Sequence, residues 1–529
     1  MLSARARKRR FRFLHSRRVS MRRVAAKPLL APLFAAFVAG SANIALADDA
    51  FAARDPGVRT NAGSGNPLSN LPPGALEFFN MGKVAFLEAE AVGDGLGPRM
   101  NLDNCGGCHA QPAVGGTSPS RNPQFALARL SRAKTDVPPP FLSADGPVRV
   151  VRLLKNADGT PDGTVHPVLT IAGRPDARGC DIDQFDLAAE VAKKNIAFRI
   201  PTPLFGAGLI EQIPDSAIRA NQERAATRNR SLGIRGRPNI ARMDGALPSA
   251  KANDGDGPIG RFGWKAQNAS LLVAGAEAYH DEMGITNELF PTERNESLSC
   301  DLSIARYEDM KLEGLPPIDS VRRYLNPLGH RYPLEVAELR ARIRAFAERN
   351  PPGDYLGNSD DQAGVDTVTS IEKFASFMRY LAPPVASQDL PGGADSIRKG
   401  RHLFDDVGCA GCHSPSLRTG SAKVAALRDQ VVNLYSDLLL HEMGPNLADG
   451  VSQGRATVSE FRTAPLWGVG QRIYFLHDGR TQDLRIAIYA HRSGSLANGN
   501  ASEANTVVDR FDALGEHEKQ DVLNFLRSL

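Results

Sequence analysis

The 529-residue sequence predicts a mainly α-helical chain built from two unequal copies of one unit, on three observations. The first is a pair of C-x-x-C-H motifs about three hundred residues apart, Cys105-Gly106-Gly107-Cys108-His109 and Cys409-Ala410-Gly411-Cys412-His413. The second is a set of blocks that recur around them in one order. Gly82-Lys83-Val84-Ala85-Phe86 precedes the first motif, and Gly400-Arg401-His402-Leu403-Phe404 precedes the second. Pro203-Leu204-Phe205-Gly206-Ala207-Gly208 and Pro465-Leu466-Trp467-Gly468-Val469-Gly470 follow them. The third is a pair of apolar stripes of helical period over residues 370–381 and 516–529. Each block is weak alone, but their shared order argues for duplication.

Each motif reads as a covalent c-type haem attachment site. Two thiols three residues apart share a face of a short helix and can reach two vinyl groups of one porphyrin. The adjacent His then donates a ring nitrogen to iron. Zinc knuckles and dithiol redox sites are the competing readings. Zinc ribbons need their Cys pairs close in sequence, however, and dithiol motifs do not require His directly after the second Cys. The expected cofactors are therefore two covalently bound haems, each in a cytochrome c-like unit with a leading helix, loops over the haem edge and a closing helix. Ile371, Phe374, Phe377, Met378 and Leu381 form one closing stripe, and Val522, Leu523, Phe525, Leu526 and Leu529 the other.

Residues 1–47 hold 11 Lys and Arg and no acidic residue, then an apolar run ending in Ala45-Leu46-Ala47 before Asp48 and Asp49. This reads as an export signal cleaved near Ala47, placing the mature protein in the periplasm. Without it 53 basic residues face 59 acidic ones, a net charge of about −6, so nucleic acid is not an expected partner. No later stretch is apolar enough to span a membrane. The expected organisation is residues 48–384 as the first haem unit, 385–395 as a Pro- and Gly-rich linker, and 396–529 as the second. About 150 additional residues enlarge the first unit, and residues 221–263, with little periodicity, are expected to form surface loops. Asn253-Asp254-Gly255-Asp256-Gly257 makes calcium a candidate further cofactor, although the closing Glu of an EF-hand is missing and a solvated turn competes. In an oxidising compartment Cys180 and Cys300 could form a disulfide, or both could stay free and buried.

Axial ligands decide which haem reacts. A doubly ligated iron moves electrons, whereas one with an open sixth position binds small oxidants. The second unit offers His441, Met443, His477 and His491. In the first, His166 and His280 lie in polar segments, and an open or exchangeable site above His109 is expected. A proton carrier would be needed there, and Glu211 and Gln212, just after the Gly-rich turn, are the candidates. Glu211 is equally readable as a helix-start carboxylate.

The segments Tyr435-Ser436-Asp437-Leu438-Leu439-Leu440-His441, Phe461-Arg462-Thr463-Ala464-Pro465-Leu466-Trp467-Gly468 and Leu476-His477-Asp478-Gly479-Arg480 resemble the dihaem oxidoreductase family of peroxidase-like and thiol-oxidoreductase-like proteins. Gly260-Arg261-Phe262-Gly263-Trp264-Lys265-Ala266 and Gly206-Ala207-Gly208-Leu209-Ile210-Glu211 match it too. That family is related to bacterial dihaem cytochrome c peroxidases and MauG-like enzymes. The resemblance implies that the second haem takes its sixth ligand from the helix after the His-Asp-Gly turn. The equivalent position is His491, giving His413/His491 coordination, with His477 as the other candidate. It further implies an aromatic relay between the haems, for which Trp264 and Trp467 are available, although core burial explains either. The Phe-Trp-Asp-Gly-Arg segment of the cytochrome c peroxidases is absent from the first unit. The implied activity is peroxide reduction, with a small soluble redox protein as donor and a small-molecule oxidant. A non-catalytic dihaem electron carrier and an oxidase of thiols or organic substrates are the alternatives.

Overall fold

The computed structural model describes residues 51–60, 63–91, 95–97, 102–130, 143–156, 158–160, 165–166, 186–241, 258–285, 287, 289–290, 369–495 and 499–529. Cys180, Cys300, the Asn253–Gly257 segment and the expected export signal lie outside them. The fold is mainly α: thirteen α-helices and only two- and three-stranded sheets occur among the described residues.

Four helices build the frame, in two crossing pairs. Helix α1 (Pro73–Leu87) starts on Pro73, whose fixed φ suits a first helical turn, and buries Ala75, Phe78, Phe79, Gly82 and Phe86 along one face. It crosses α8 (Ser370–Tyr380), which opens with a capping box between Thr369 and Glu372. Gly82 makes the crossing possible, because a Cβ there would lie 2.2 Å from the Lys373 carbonyl oxygen. In the second half, α9 (Gly393–Val407) buries Gly400, Phe404 and Val407 against α13 (Glu516–Ser528). A Cβ on Gly400 would lie 1.9 Å from the Asp521 carbonyl oxygen. Phe86 packs on Phe377 at 4.8 Å, and Phe404 on Phe525 at 5.4 Å. Both closing helices end within one residue of the sequence expectation.

The Gly-rich blocks are matched as well. Gly206 and Gly468 both adopt left-handed φ, 68° and 70°. Two residues on, Gly208 and Gly470 press against the carbonyls of Arg379 and Arg527. Each of those arginines then spends its guanidinium on a buried carboxylate, Arg379 on Glu211 at 2.7 Å and Arg527 on Asp55 at 2.6 Å.

Residues 221–232, expected as loop, are helical. They belong to α6 (Asp215–Leu232), which ends at Gly233 in the left-handed region. Its Arg, Ala, Gln and Glu content favours helix by propensity, yet it buries only Ile218, Asn229 and Leu232, so it carries no apolar stripe to read. This helix covers the second motif: Asn229 Nδ2 donates to the Gly411 carbonyl at 2.9 Å, and Arg228 to that of Ala410 at 3.1 Å. A small sheet, β1 (Val150–Leu153) between β2 (Val165–His166) and β3 (Ile196–Arg199), joins the first half to the second. From it Arg199 reaches Asp449, 2.6 Å away, and Lys265 binds the other oxygen of Asp449 at 3.1 Å, all three buried.

Candidate haem-binding site

The first motif forms α2 (Cys105–Cys108), a single turn capped by Asn104, whose side chain accepts from Gly107 N–H at 2.8 Å. His109 follows with Phe86 edge-on at 5.9 Å. Its Nδ1 lies 2.9 Å from the Gly116 carbonyl, which places the proton on Nδ1 and leaves the Nε2 lone pair outward. Burial, opposed by hydrogen bonds to Gly116 and Thr202, pulls this imidazole down to about 4, so it stays a neutral donor. Burial pushes the Cys105 thiol up to about 12 and raises that of Cys108. A dithiol redox site needs the opposite shift. Among the described residues no cluster of three or more His, Cys, Asp or Glu could hold a metal ion.

Cys105, Cys108 and His109 open on one cavity whose walls include Phe86, Phe205, Phe374, Met378, Trp264 and Trp467. Arg149, Arg152, Arg199, Arg261, Arg462 and Arg472 also line it, and the last two pair only with carbonyls. Arg462 donates only to the carbonyls of Gly263 and Thr463, at 3.0 and 3.1 Å, and Arg472 only to that of Pro465, at 3.3 Å. Neither has a carboxylate partner among the described residues, and burial pulls each down to about 10. Desolvated guanidinium groups without counter-ions, beside a Cys pair and a preset His, are the donor set a haem and its carboxylates require.

The second motif repeats this with a 3₁₀ turn (Cys409–Gly411) after left-handed Gly408. His413 Nδ1 bonds the Tyr435 carbonyl at 3.1 Å, as His109 does Gly116. Burial, opposed by that bond and reinforced by neighbouring His491, brings His413 down to about 4. His491 follows α11 (Leu484–Ala490), with its Nδ1 on the Ala487 carbonyl at 2.7 Å. Of the other candidates, His441 also lies against the second motif, its Nδ1 3.5 Å from Cys412 Sγ. His441 spends Nε2 on Asp437 at 3.0 Å and Nδ1 on Glu503 at 2.7 Å. Met443 caps α10 (Gly444–Leu447). His477 stacks on Phe461 at 4.5 Å and meets Trp264 edge-on.

Glu211 and Gln212 are not among the residues lining the first cavity. Glu211 is the last residue of α5 (Ala207–Glu211) rather than a helix start. Its Oε2 takes Arg379 Nε at 2.7 Å, and its Oε1 takes Leu271 N–H at 2.8 Å, at the start of α7 (Leu271–Met283). His280 also falls outside the lining, with Nδ1 3.1 Å from Asp281. Of His166 only the backbone is described, paired with Val151.

The polar groups that do face the cavity include Gln267, Asn268 and Glu277, none of them singled out by the sequence reading. Glu277 Oε2 accepts from Asn268 Nδ2 at 2.5 Å and from Gln267 Nε2 at 3.3 Å. Burial, then Asp281, raises its proton affinity, and the two amides and Arg152 oppose them. A signal was present: Glu277 is the one charge in the run from Leu271 to Tyr279.

The family described as "Di-haem oxidoreductase, putative peroxidase" matches residues 153–305 and 358–529. No curated protein matches the chain. Among solved structures, a MauG-like protein associated with microbial copper homeostasis is similar at 21% identity, over 39% of this chain and 67% of that one. Its TM-score is 0.21, too low to carry a structural argument.

Proposed function

Because the chain belongs to the di-haem oxidoreductase family, we propose that it is an exported, periplasmic c-type protein with two cytochrome c-like units. It reduces a peroxide at the first haem with electrons that a small soluble redox protein delivers to the second. The observation that carries this reading is an asymmetry. His491 acts electrostatically on His413, whereas the cavity of His109 is lined by a carboxylate held between two amides.

Cys105, Cys108 and His109 hold one haem, with Arg462 and Arg472 on its carboxylates; Cys409, Cys412, His413 and His491 hold the other. When bound, each haem supplies an iron that gains and gives up one electron. At the first site Glu277 takes a proton from the incoming hydroperoxide and returns it to the departing oxygen. Gln267 and Asn268 fix its Oε2, so Oε1 is the atom left to act. Reduction of hydrogen peroxide consumes two electrons and two protons and yields two waters. Glu211 keeps a structural role as the counter-ion of Arg379.

The visible spectrum of the oxidised protein tests this. One high-spin component that changes on adding peroxide or cyanide, beside one indifferent low-spin component, is expected. Two indifferent low-spin haems would make the protein an electron carrier. Faster turnover of thiols or thiosulfate than of peroxide plus donor would make it an oxidase of those substrates.

A further inference from the structure

Peroxide reduction needs two protons per turnover, and Glu277 can hold only one. We propose that Asp281, one helical turn beyond Glu277 on α7, forms with it a two-carboxylate relay that carries protons from the protein surface into the first cavity. This rests on the reading of that cavity as the peroxide site.

Residues four apart on a helix share a face, and both carboxylates line the cavity. Asp281 is 20% exposed, and beside it stands His280, 15% exposed, whose Nδ1 lies 3.1 Å from Asp281 Oδ1. His280 and Asp281 stand one turn beyond Glu277, and all three are partly exposed. Arg152 of β1 stands 3.6 Å from Asp281 Oδ2 and also acts on Glu277. Arg199 of β3 lies within electrostatic range of Glu277 as well. Gln267 and Asn268 face Glu277 from the segment before α7, whereas α8 contributes apolar Phe374 and Met378 to the same cavity. The placement is costly for the helix: Glu277, Asp281 and Glu282 crowd the C-terminal half of α7, where the helix dipole disfavours anions. In turnover, protonated Asp281 passes its proton to the Glu277 carboxylate once Glu277 has protonated an oxygen of the hydroperoxide, and water at the exposed edge reloads Asp281. The O–O bond breaks, the donor protein supplies both electrons, and both oxygens leave as water.

The test is the rate of cyanide binding to the oxidised holoprotein against pH, followed by absorbance, together with steady-state peroxide turnover. Asp281 raises the proton affinity of Glu277 and Arg152 lowers it. The binding midpoint should therefore move to lower pH in Asp281→Asn and to higher pH in Arg152→Gln. Peroxide turnover of Asp281→Asn should fall about tenfold or more, with an unchanged spectrum and restoration in Asp281→Glu. Midpoints unmoved in both variants, with a responsive wild type, would overturn the relay alone. If Asp281→Asn does not fold, the upward shift in Arg152→Gln decides. A wild type indifferent to both cyanide and peroxide sinks the relay together with the peroxidase reading.

Discussion

Gly82 and Gly400 stand at equivalent helix crossings, Phe86 and Phe404 pack on equivalent closing helices, and His109 and His413 are each oriented by a backbone carbonyl. Above that shared frame the halves part. The second has His491 at the end of a short helix, within electrostatic range of His413, while the first is walled by α7 with Glu277 among its lining residues. Duplication thus preserved what holds a macrocycle and left free what stands over its other face. On the proposed reading, the difference between moving electrons and doing chemistry lies in segments the two halves do not share.

The sharpest way to break this contrast is to open the closed half. His491→Ala should convert the second haem from an indifferent low-spin centre to one that binds cyanide, so that the spectrum shows two responsive haems. If the spectrum is unchanged, another group closes that site. Glu277→Gln should lower peroxide turnover by about 10²–10⁴ while both haem spectra stay in place. A similar loss in Glu211→Gln, with spectra and stability intact, would reverse the assignment of those two carboxylates.

Stability should also differ between the halves. Arg379→Met leaves Glu211, which is fully enclosed, with only the Leu271 amide and should cost about 3–5 kcal/mol in denaturant unfolding. Arg527→Met strands Asp55, which is 8% exposed and keeps hydrogen bonds from the Gly57 and Leu484 amides, so its cost should be smaller. The least effect is the pH dependence of that second pair. Burial raises the proton affinity of Asp55, but Arg527 and those amides outweigh it and hold the carboxyl below its ordinary 3.8. Its contribution is present above that value and lost as pH falls through the depressed one. Wild type should therefore lose stability more steeply under acid than Arg527→Met.

What was legible in the sequence was whatever repeats. The glycines and the phenylalanines of the paired helices recur because each meets the same neighbour twice, and His491 was picked out only through the turn that precedes it. Glu211 was misread because adjacency to the Gly-rich turn is a covalent fact, whereas its partner Arg379 is 168 residues away and visible only once the helices cross. Gln267 and Glu277 lie some 160 residues beyond His109, and no local spacing ties them to it. Helix α6 escaped for the opposite reason. It is held by side chains bonding to the backbone of the second motif, an arrangement that leaves no periodic trace.

Arg462, Trp467 and Arg472 wall the cavity of His109 although they follow it by more than three hundred residues. As the chain leaves the ribosome, the earlier motif is complete long before the residues that wall its cavity from the second half have been made. Cutting between the halves would therefore yield no working miniature, and the N-terminal piece would offer a porphyrin an unfinished wall.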